Sequence, residues 1–197
     1  ENLPSNNTFK VLVPARRVPE KGIEYAIKAF ADFLKVTNRQ SCLLISGAEM
    51  ANPEYEIWLR NYINQLGCSH SVFFLGPIAY NEMPALYAAC DVSVVPSVFR
   101  EGFCYSNIEA MATGGPVVIT TEQGGCLDYI IHKCNGIFVP VKDSTAIADF
   151  LLDILNHPDT AIMIRQKARL TAKKYPVKAM IAAYSNILNG ISANGKA

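Results

Sequence analysis

The stretch FREGFCYSNIEAMATGGPVV, from Phe99 to Val118, decides how this chain is interpreted. It places two carboxylates, Glu101 and Glu109, eight positions apart, with a short loop before a helix-forming segment and a Gly-Gly-Pro stop after it. The apolar run just upstream, from Asp91 to Pro96, has the length and β-branched content of a buried parallel strand. Glu101 is therefore predicted at the carboxyl end of a strand, the edge of an open α/β sheet where ligands bind.

Strand and helix patterns alternate along the rest of the chain. Strands are predicted at about 9–14, 42–46, 72–75, 91–96, 117–120 and 136–140, and helices at about 23–34, 53–66, 82–89, 104–113, 127–131, 146–156, 159–174 and 177–190. The alternation predicts right-handed βαβ units and a Rossmann-like α/β fold, with a parallel sheet covered by helices on both faces. We expect a leader over residues 1–8, one domain over 9–175, and a closing helix with a tail over 176–197.

Three local details follow from the same patterns. Trp58 is placed on the packing face of the second helix, Asn81 is predicted to cap the third, and Gly124-Gly125 is predicted to be a flexible turn.

Composition narrows the classes of function. Half of the 197 residues are apolar and 18% are charged, which indicates a globular fold. The net charge of +1 disfavours a nucleic-acid binder. The six cysteines lack the spacing of a zinc site, so we expect reduced thiols in a cytoplasmic protein. The three histidines lie far apart and no Asp-x-Asp occurs, so we predict no metal site and no cofactor.

Membrane contact remains an open alternative at one place. No apolar run has the length of a membrane span. The basic helix at 165–174 could be a solvated face, or it could touch an anionic membrane from the cytoplasmic side.

The first loop after a predicted strand carries Arg16, Arg17 and Lys21 before a helix begins. Backbone N–H groups and the helix dipole already favour an anion at such a place. Two or three cations added there form either a diphosphate-sized pocket or a solvated basic loop.

Glu101 and Glu109 also have two interpretations. Ionised carboxylates only accept hydrogen bonds, and sugar hydroxyls donate them, so one glutamate could serve a ribose and the other a hexose. Alternatively Glu109 is an ordinary helix residue and Glu101 a partner of the helix dipole.

Several motifs in register carry a family resemblance. They are Ala15-Arg16-x4-Lys21-Gly22, the run from Met83 to Ser97, Glu101-Gly-Phe-x5-Glu109-Ala-Met-Ala-x-Gly-x-Pro-Val-Val118, and Gly124-Gly125. Together they resemble the donor-binding half of the group-one retaining glycosyltransferases, which have a two-domain GT-B architecture. The similarity runs from about Phe9 to Leu155.

The resemblance implies a role for each matching residue. Arg16 and Lys21 would hold the nucleotide diphosphate and neutralise its growing charge as the sugar leaves, and Glu101 would contact the hydroxyls of the donor sugar. The amides of Cys104 and Tyr105 would meet the phosphates, and Gly102 and Phe103 are predicted to bind the substrate as part of the same loop. Glu109 would bind the ribose, and the backbone near Ile78 would contact the base. The donor would be a nucleotide-diphosphate sugar, transferred to a glycan or lipid acceptor with retention of configuration.

The sequence also departs from that family. Ala15 and Cys104 stand where glycine is usual, Asp128 replaces a glutamate, and Tyr105 replaces a leucine. Only eight residues precede the first strand, so we expect a donor half-site without the N-terminal acceptor domain. Competing hypotheses are a non-catalytic nucleotide-sugar-binding module and a related GT-B epimerase or phosphorylase. A thiol nucleophile at Cys104 is disfavoured, because no histidine shares its local motif.

Overall fold

A computed structural model describes residues 7–47 and 52–194 of the chain, and residues 1–6 of the predicted leader lie outside that part. Six parallel strands form one sheet in the order β3-β2-β1-β4-β5-β6. The strands are β1 (Phe9–Pro14), β2 (Ser41–Ser46), β3 (Val72–Phe74), β4 (Val92–Val95), β5 (Val117–Thr121) and β6 (Ile137–Val139). The helices are α1 (Ile23–Val36), α2 (Pro53–Gln65), α3 (Met83–Ala88), α4 (Tyr105–Thr113), α5 (Ser144–Asn156), α6 (Pro158–Ala172) and α7 (Val177–Asn194).

The strand order reverses between β1 and β4. From β1 the chain moves outward through β2 and β3, then returns to the other side of β1 and moves outward again through β4, β5 and β6. A crevice opens at the carboxyl ends of the two strands where the direction changes. The fold therefore brings the loops after β1 and β4 together, which are the loops that carry the basic residues and Glu101.

Helices cover both faces of the sheet, and alternation along β1 shows how. Val11 and Val13 join a core cluster with side chains of α1, α2 and α5, whereas Leu12 joins a second cluster with side chains of α3 and α4. Successive side chains of a strand point to opposite faces, so a fully apolar strand needs cover on both sides. This arrangement confirms the predicted Rossmann-like fold.

Two local predictions in this part of the fold are wrong. Trp58 is 47% exposed and stacks on Tyr55 and Tyr62, while Ile63 lies in the buried face of α2 instead. A tryptophan flanked by two tyrosines can bury much of its ring at the surface. Asn81 does not cap α3, because the N-cap position is Glu82 and it makes no side-chain capping bond.

The last helix carries an apolar surface. Helix α7 continues to Asn194, beyond its predicted end near 190. Its apolar side chains are exposed as predicted: Met180 42%, Ile181 55%, Tyr184 63%, Ile187 60% and Leu188 62%. Across residues 7–47 and 52–194, no helix combines the length and the hydropathy needed to cross a membrane.

Candidate functional site

Three loops meet at the carboxyl edge of the sheet: residues 15–22 after β1, 96–104 after β4, and 122–128 after β5. The first two are joined because the N–H groups of Val98 and Phe99 donate to the carbonyl of Glu20 at 3.0 and 3.3 Å. The second and third are joined by a bond from the Gly125 N–H to the carbonyl of Glu101 at 3.0 Å. The main chain alone therefore fixes the positions of these loops.

Glycines allow the loops to approach so closely. At Gly22, where φ is +62°, an added Cβ would lie 2.2 Å from the carbonyl oxygen of Pro96. At Gly125 it would lie 1.9 Å from the carbonyl oxygen of Gly102. The chain turns at Gly124-Gly125 as predicted, but not because the turn is flexible. Glycine is required at both positions because the main chain of Glu101 and Gly102 packs too closely for a Cβ atom. The helix predicted near 127–131 is a 3-10 turn at Gly124–Asp128.

Lys21 and Glu101 form an ion pair where the loops meet. The Lys21 Nζ atom donates to Oε1 of Glu101 at 2.5 Å, and the Ser97 hydroxyl donates to the same oxygen at 2.7 Å. Both charged side chains are largely buried, with 22% and 20% exposed. The carboxylate predicted to meet a sugar is thus neutralised by the ammonium group predicted to meet a diphosphate.

Arg16, Ile78 and Glu109 line one cleft, which Lys21 and Glu101 do not line. The cleft has a volume of about 310 Å³, and its other walls come from the ends of β1 and β2, from Pro77, and from α3 and α4. Arg16 is exposed at its edge. The cleft therefore brings together one predicted contact each to phosphate, base and ribose, whereas Lys21, Glu101 and residues 102–105 lie outside its lining.

Glu109 is half buried in this cleft, and the Tyr87 hydroxyl donates to its Oε2 atom at 3.4 Å. Burial raises the pKa of Glu109, although the bond from Tyr87 opposes that rise. Burial also raises the pKa of the Tyr87 hydroxyl. Within residues 7–47 and 52–194, Glu109 has no ion-pair partner. Its carboxylate faces the cleft without a counter-charge.

Arg17 points away from the cleft and belongs to the fold. Its side chain is 1% exposed, and its Nε atom donates to Oε2 of Glu56 at 2.6 Å. The guanidinium also donates to the carbonyls of Gly47 at 3.4 Å and Leu75 at 3.3 Å. Burial alone would raise the pKa of Glu56, but hydrogen bonds from Arg60 and Arg17 lower it overall. The first loop therefore supplies two cations to the site, Arg16 and Lys21.

Helix α4 begins at the site with a strained residue. Cys104 is its N-cap and has φ +63° and ψ +70°, the left-handed region that a residue with a Cβ seldom adopts. The side chain is buried, and burial raises the pKa of the thiol. A raised pKa lowers the fraction of thiolate, the form in which a cysteine acts as a nucleophile. The first N–H groups of α4 have no acceptor within the helix and suit an anion.

Phe103 and Tyr105 flank Cys104 and differ in exposure. The Phe103 ring packs between Tyr129 and Tyr175, with centroid distances of 5.2 and 5.7 Å, whereas Tyr105 is 60% exposed. The Tyr129 hydroxyl donates to the carbonyls of Phe103 at 2.8 Å and Cys104 at 3.1 Å. The aromatic cluster thus holds the main chain of this loop in place.

Ser97, Tyr87 and Tyr129 are site residues that the sequence reasoning missed. Ser97 could have been found, because it follows a buried strand at the same edge as Glu101. Tyr87 and Tyr129 lie in apolar runs and read as core residues. Among the described residues, no group of three or more His, Cys, Asp or Glu side chains could hold a metal ion.

Comparison with known proteins identifies the family. The model of the glycosyl transferases group 1 family matches residues 1–171, so this chain belongs to that family.

Two curated relatives and one solved structure show the extent of the similarity. An uncharacterized glycosyltransferase of Methanocaldococcus jannaschii is 38% identical over 138 residues, which cover 70% of this chain and 33% of that protein. The D-inositol 3-phosphate glycosyltransferase of Corynebacterium glutamicum is 30% identical over 189 residues, 95% of this chain and 45% of that protein. The crystal structure of Anabaena HepE with UDP-glucose matches with a TM-score of 0.86 at 26% identity, over 93% of this chain and 49% of HepE.

The chain therefore has the Rossmann-like fold of a GT-B C-terminal domain, and it spans between a third and a half of the length of these proteins.

Proposed function

We propose that this chain is the donor-binding domain of a retaining glycosyltransferase that moves a hexose from a nucleotide-diphosphate sugar to a glycan or lipid acceptor. The observation that carries the proposal is the cleft shared by Arg16 and Glu109, which opens at the same carboxyl edge of the sheet where Lys21 pairs with Glu101. A phosphate-sized anion and a set of hydroxyl donors are the complementary ligands for two cations and two carboxylates.

Each group of the donor would meet a matching group in the cleft or in the loops at the same edge of the sheet. The diphosphate would lie between Arg16, Lys21 and the N-terminus of α4, where the two cations and the helix dipole stabilise negative charge. The ribose hydroxyls would donate to Glu109, which lines the cleft and has no ion-pair partner in the described part of the chain. The base would lie against Pro77 and Ile78, which form an apolar wall of the same cleft.

The sugar would lie at Glu101. Lys21 is the residue that links sugar and phosphate, because its ammonium group already touches Oε1 of Glu101. As the bond between sugar and diphosphate breaks, charge grows on the diphosphate, and a cation fixed in advance stabilises that charge without reorganisation. No enzyme nucleophile and no metal ion or other cofactor enters this proposal, and the leaving diphosphate would help to deprotonate the acceptor.

The acceptor and the place of action belong to the proposal as well. The acceptor would be bound by an N-terminal domain, since the matching relatives extend well beyond the part that this chain covers. A cytoplasmic location is supported by the cysteines, all of which are free and five of which are buried in the described structure. A peripheral contact at the inner face of a membrane would use the exposed lysines at the end of α6, Lys173 and Lys174.

A calorimetric titration with UDP, GDP, ADP and their sugar conjugates tests the binding part. We expect saturable binding of one nucleotide and its conjugates, with affinity reduced about tenfold or more in Glu109→Ala, because hydrogen bonds to a charged acceptor are lost. Glu54→Ala is the control, since Glu54 is exposed in the first turn of α2, away from the cleft. A folded chain that binds none of these nucleotides would overturn the proposal.

A transfer assay tests the catalytic part. The full product of the gene that encodes this chain is incubated with the nucleotide sugar that binds and with candidate acceptors, and the anomeric configuration of the product is read by NMR. Retention is expected. Binding without transfer to any acceptor would favour a non-catalytic binding module, and an inverted product would exclude the retaining mechanism.

A further inference from the structure

Ser97 lies where the loops after β4 and β5 are joined, and the proposed function gives it no role. Its side chain is 1% exposed. Its carbonyl accepts hydrogen bonds from the Thr121 hydroxyl at 2.9 Å and from the Gln123 side-chain amide at 2.8 Å. One bond from the last residue of β5 and one from the loop after it therefore fix the main chain of Ser97, and the side chain is buried beside them.

The Ser97 hydroxyl donates its hydrogen bond to Oε1 of Glu101 at 2.7 Å. Lys21 donates to the same oxygen at 2.5 Å. A carboxylate oxygen has two lone pairs, so it can accept both bonds without competition. Within residues 7–47 and 52–194, no group donates to Oε2 of Glu101, which leaves that oxygen for an incoming donor.

A bound diphosphate changes this arrangement. The ammonium group of Lys21 would be drawn toward the phosphates, which carry more charge than one carboxylate. Glu101 would then lose its counter-ion next to a second anion, and repulsion would favour its rotation out of the site. Among the residues that the structure describes, Ser97 then provides the remaining side-chain hydrogen bond that opposes this rotation.

We propose that Ser97 is a positioning residue that keeps Glu101 directed at the donor sugar after the diphosphate has drawn Lys21 away. The inference rests on the proposed function, and it adds a source of specificity. With Oε1 held by Ser97, Oε2 accepts from the sugar hydroxyls, so the site favours an intact nucleotide sugar over the nucleoside diphosphate alone. Ser97 itself touches neither the sugar nor the phosphates.

The test compares two affinities in one variant. Ser97→Ala is titrated with UDP and UDP-glucose, and also with the pairs GDP and GDP-mannose and ADP and ADP-glucose. For the pair that the unaltered chain binds, the affinity for the diphosphate should change by less than about threefold. The affinity for the nucleotide sugar should fall about tenfold, as expected for a lost hydrogen bond to a charged group.

Thr120→Val is the matched control. The Thr120 hydroxyl donates to the carbonyl of Val95 at 3.2 Å, so this variant also loses one buried hydroxyl at the carboxyl edge, but none that touches Glu101. Its two affinities should keep their ratio. In a Glu101→Ala background, Ser97→Ala should change the ratio by less than about twofold, because the two residues act as one unit.

A second variant covers the case in which Ser97→Ala does not fold. Ser97→Cys occupies similar space with a weaker donor and should show the same selective loss to a smaller extent. An equal fall of both affinities in the Ser97 variants would show a merely structural role and overturn the inference while leaving the proposed function standing. If the unaltered chain binds no nucleoside diphosphate, the proposed function is overturned and the inference with it.

Discussion

Glu101 and Glu109 stand in opposite electrostatic surroundings, although eight positions separate them in the sequence. Glu101 accepts hydrogen bonds from the Lys21 ammonium group and the Ser97 hydroxyl, so a cation balances its charge. Glu109 lies half buried in the neighbouring cleft, where a phenol is its hydrogen-bond partner and burial raises its pKa. One side of the site is electrically balanced before any ligand arrives, and the other is not.

The difference separates two ways of binding. At Glu101 a ligand must exchange partners, because a diphosphate takes the cation and a sugar hydroxyl replaces it at the carboxylate. At Glu109 a ligand replaces a long bond from Tyr87, the hydrogen bond that this carboxylate accepts within the described residues. An uncompensated carboxylate gains most from new hydrogen-bond donors, so the Glu109 side is suited to hold the nucleoside and the Glu101 side to sense the sugar.

The largest effect is expected from Arg17, which supports the wall of the Glu109 side without entering the cleft. Arg17→Ala removes a buried bond to Glu56, which keeps Arg60, and two bonds to main-chain carbonyls, so it should lower the free energy of unfolding by about 3 kcal/mol. Arg16→Ala should change stability by less than about 0.5 kcal/mol, because Arg16 is exposed. Urea denaturation of both variants measures this.

The same two variants should separate in the opposite sense in binding. Arg16→Ala is expected to weaken the binding of nucleoside diphosphate while the variant stays as stable as the unaltered chain. Any loss of affinity in Arg17→Ala should be explained by the fraction of the variant that is unfolded. Equal destabilisation by the two substitutions would contradict the assignment of one arginine to the cleft and the other to the fold.

The two arginines also show what the sequence could predict. The loop was expected to hold two or three cations near an anion, and two of them are at the site. Adjacent residues share the same local pattern, so nothing in the loop tells which side chain turns inward. That choice depends on Glu56, 39 positions away on α2. Such long-range pairing follows from the fold and is not visible in a local pattern.

The fold itself was predictable because its signals are local. Apolar runs of four to six residues alternate with helical patterns, and this order predicts a parallel sheet. The backbone at Cys104 was not predictable in the same way. Cysteine rarely adopts a positive φ angle. At Cys104 this conformation is held by the bonds from Tyr129 and by the packing of the neighbouring loops. The backbone strain at Cys104 depends on contacts between loops that are distant in the sequence.

The exchange of partners at Glu101 predicts the next largest effect. Lys21→Ala removes the cation from the diphosphate and leaves Glu101 to repel it, so affinity for the nucleoside diphosphate should fall about 100-fold. Removing Glu101 as well should recover part of that loss, because the repelling carboxylate is then gone. Calorimetry of the two single variants and the double variant measures the coupling.

Lys28→Ala is the control for that cycle. Lys28 pairs with Asp32 along α1, a surface ion pair outside the cleft, so its loss should leave nucleotide affinity unchanged. If the losses of Lys21 and Glu101 were simply additive, the two side chains would act independently, and the exchange of partners would be wrong.

The smallest effect concerns the pH dependence of Glu109. Because burial raises its pKa, the folded state resists the ionisation that the unfolded chain undergoes near the ordinary glutamate pKa of about 4.3. Ionisation of Glu109 therefore destabilises the folded chain. This destabilisation is absent below about pH 4.3 and develops as the pH rises from there through the raised pKa. Glu109→Gln should therefore unfold at a higher temperature than the unaltered chain at pH 7, and the difference should disappear near pH 4.

Glu54→Gln supplies a control with the opposite sign. Glu54 is exposed in the first turn of α2, where its negative charge interacts favourably with the helix dipole. Neutralising Glu54 should therefore slightly lower the unfolding temperature at pH 7. Thermal unfolding from pH 4 to pH 8 measures both variants. The stabilised Glu109→Gln chain should at the same time bind nucleotide more weakly, because an amide is a poorer acceptor for ribose hydroxyls than a carboxylate. A gain in stability together with a loss of binding would show that Glu109 contributes to ligand binding at a cost to folding stability. A loss of stability of Glu109→Gln at pH 7 would show instead that another group balances the charge of Glu109.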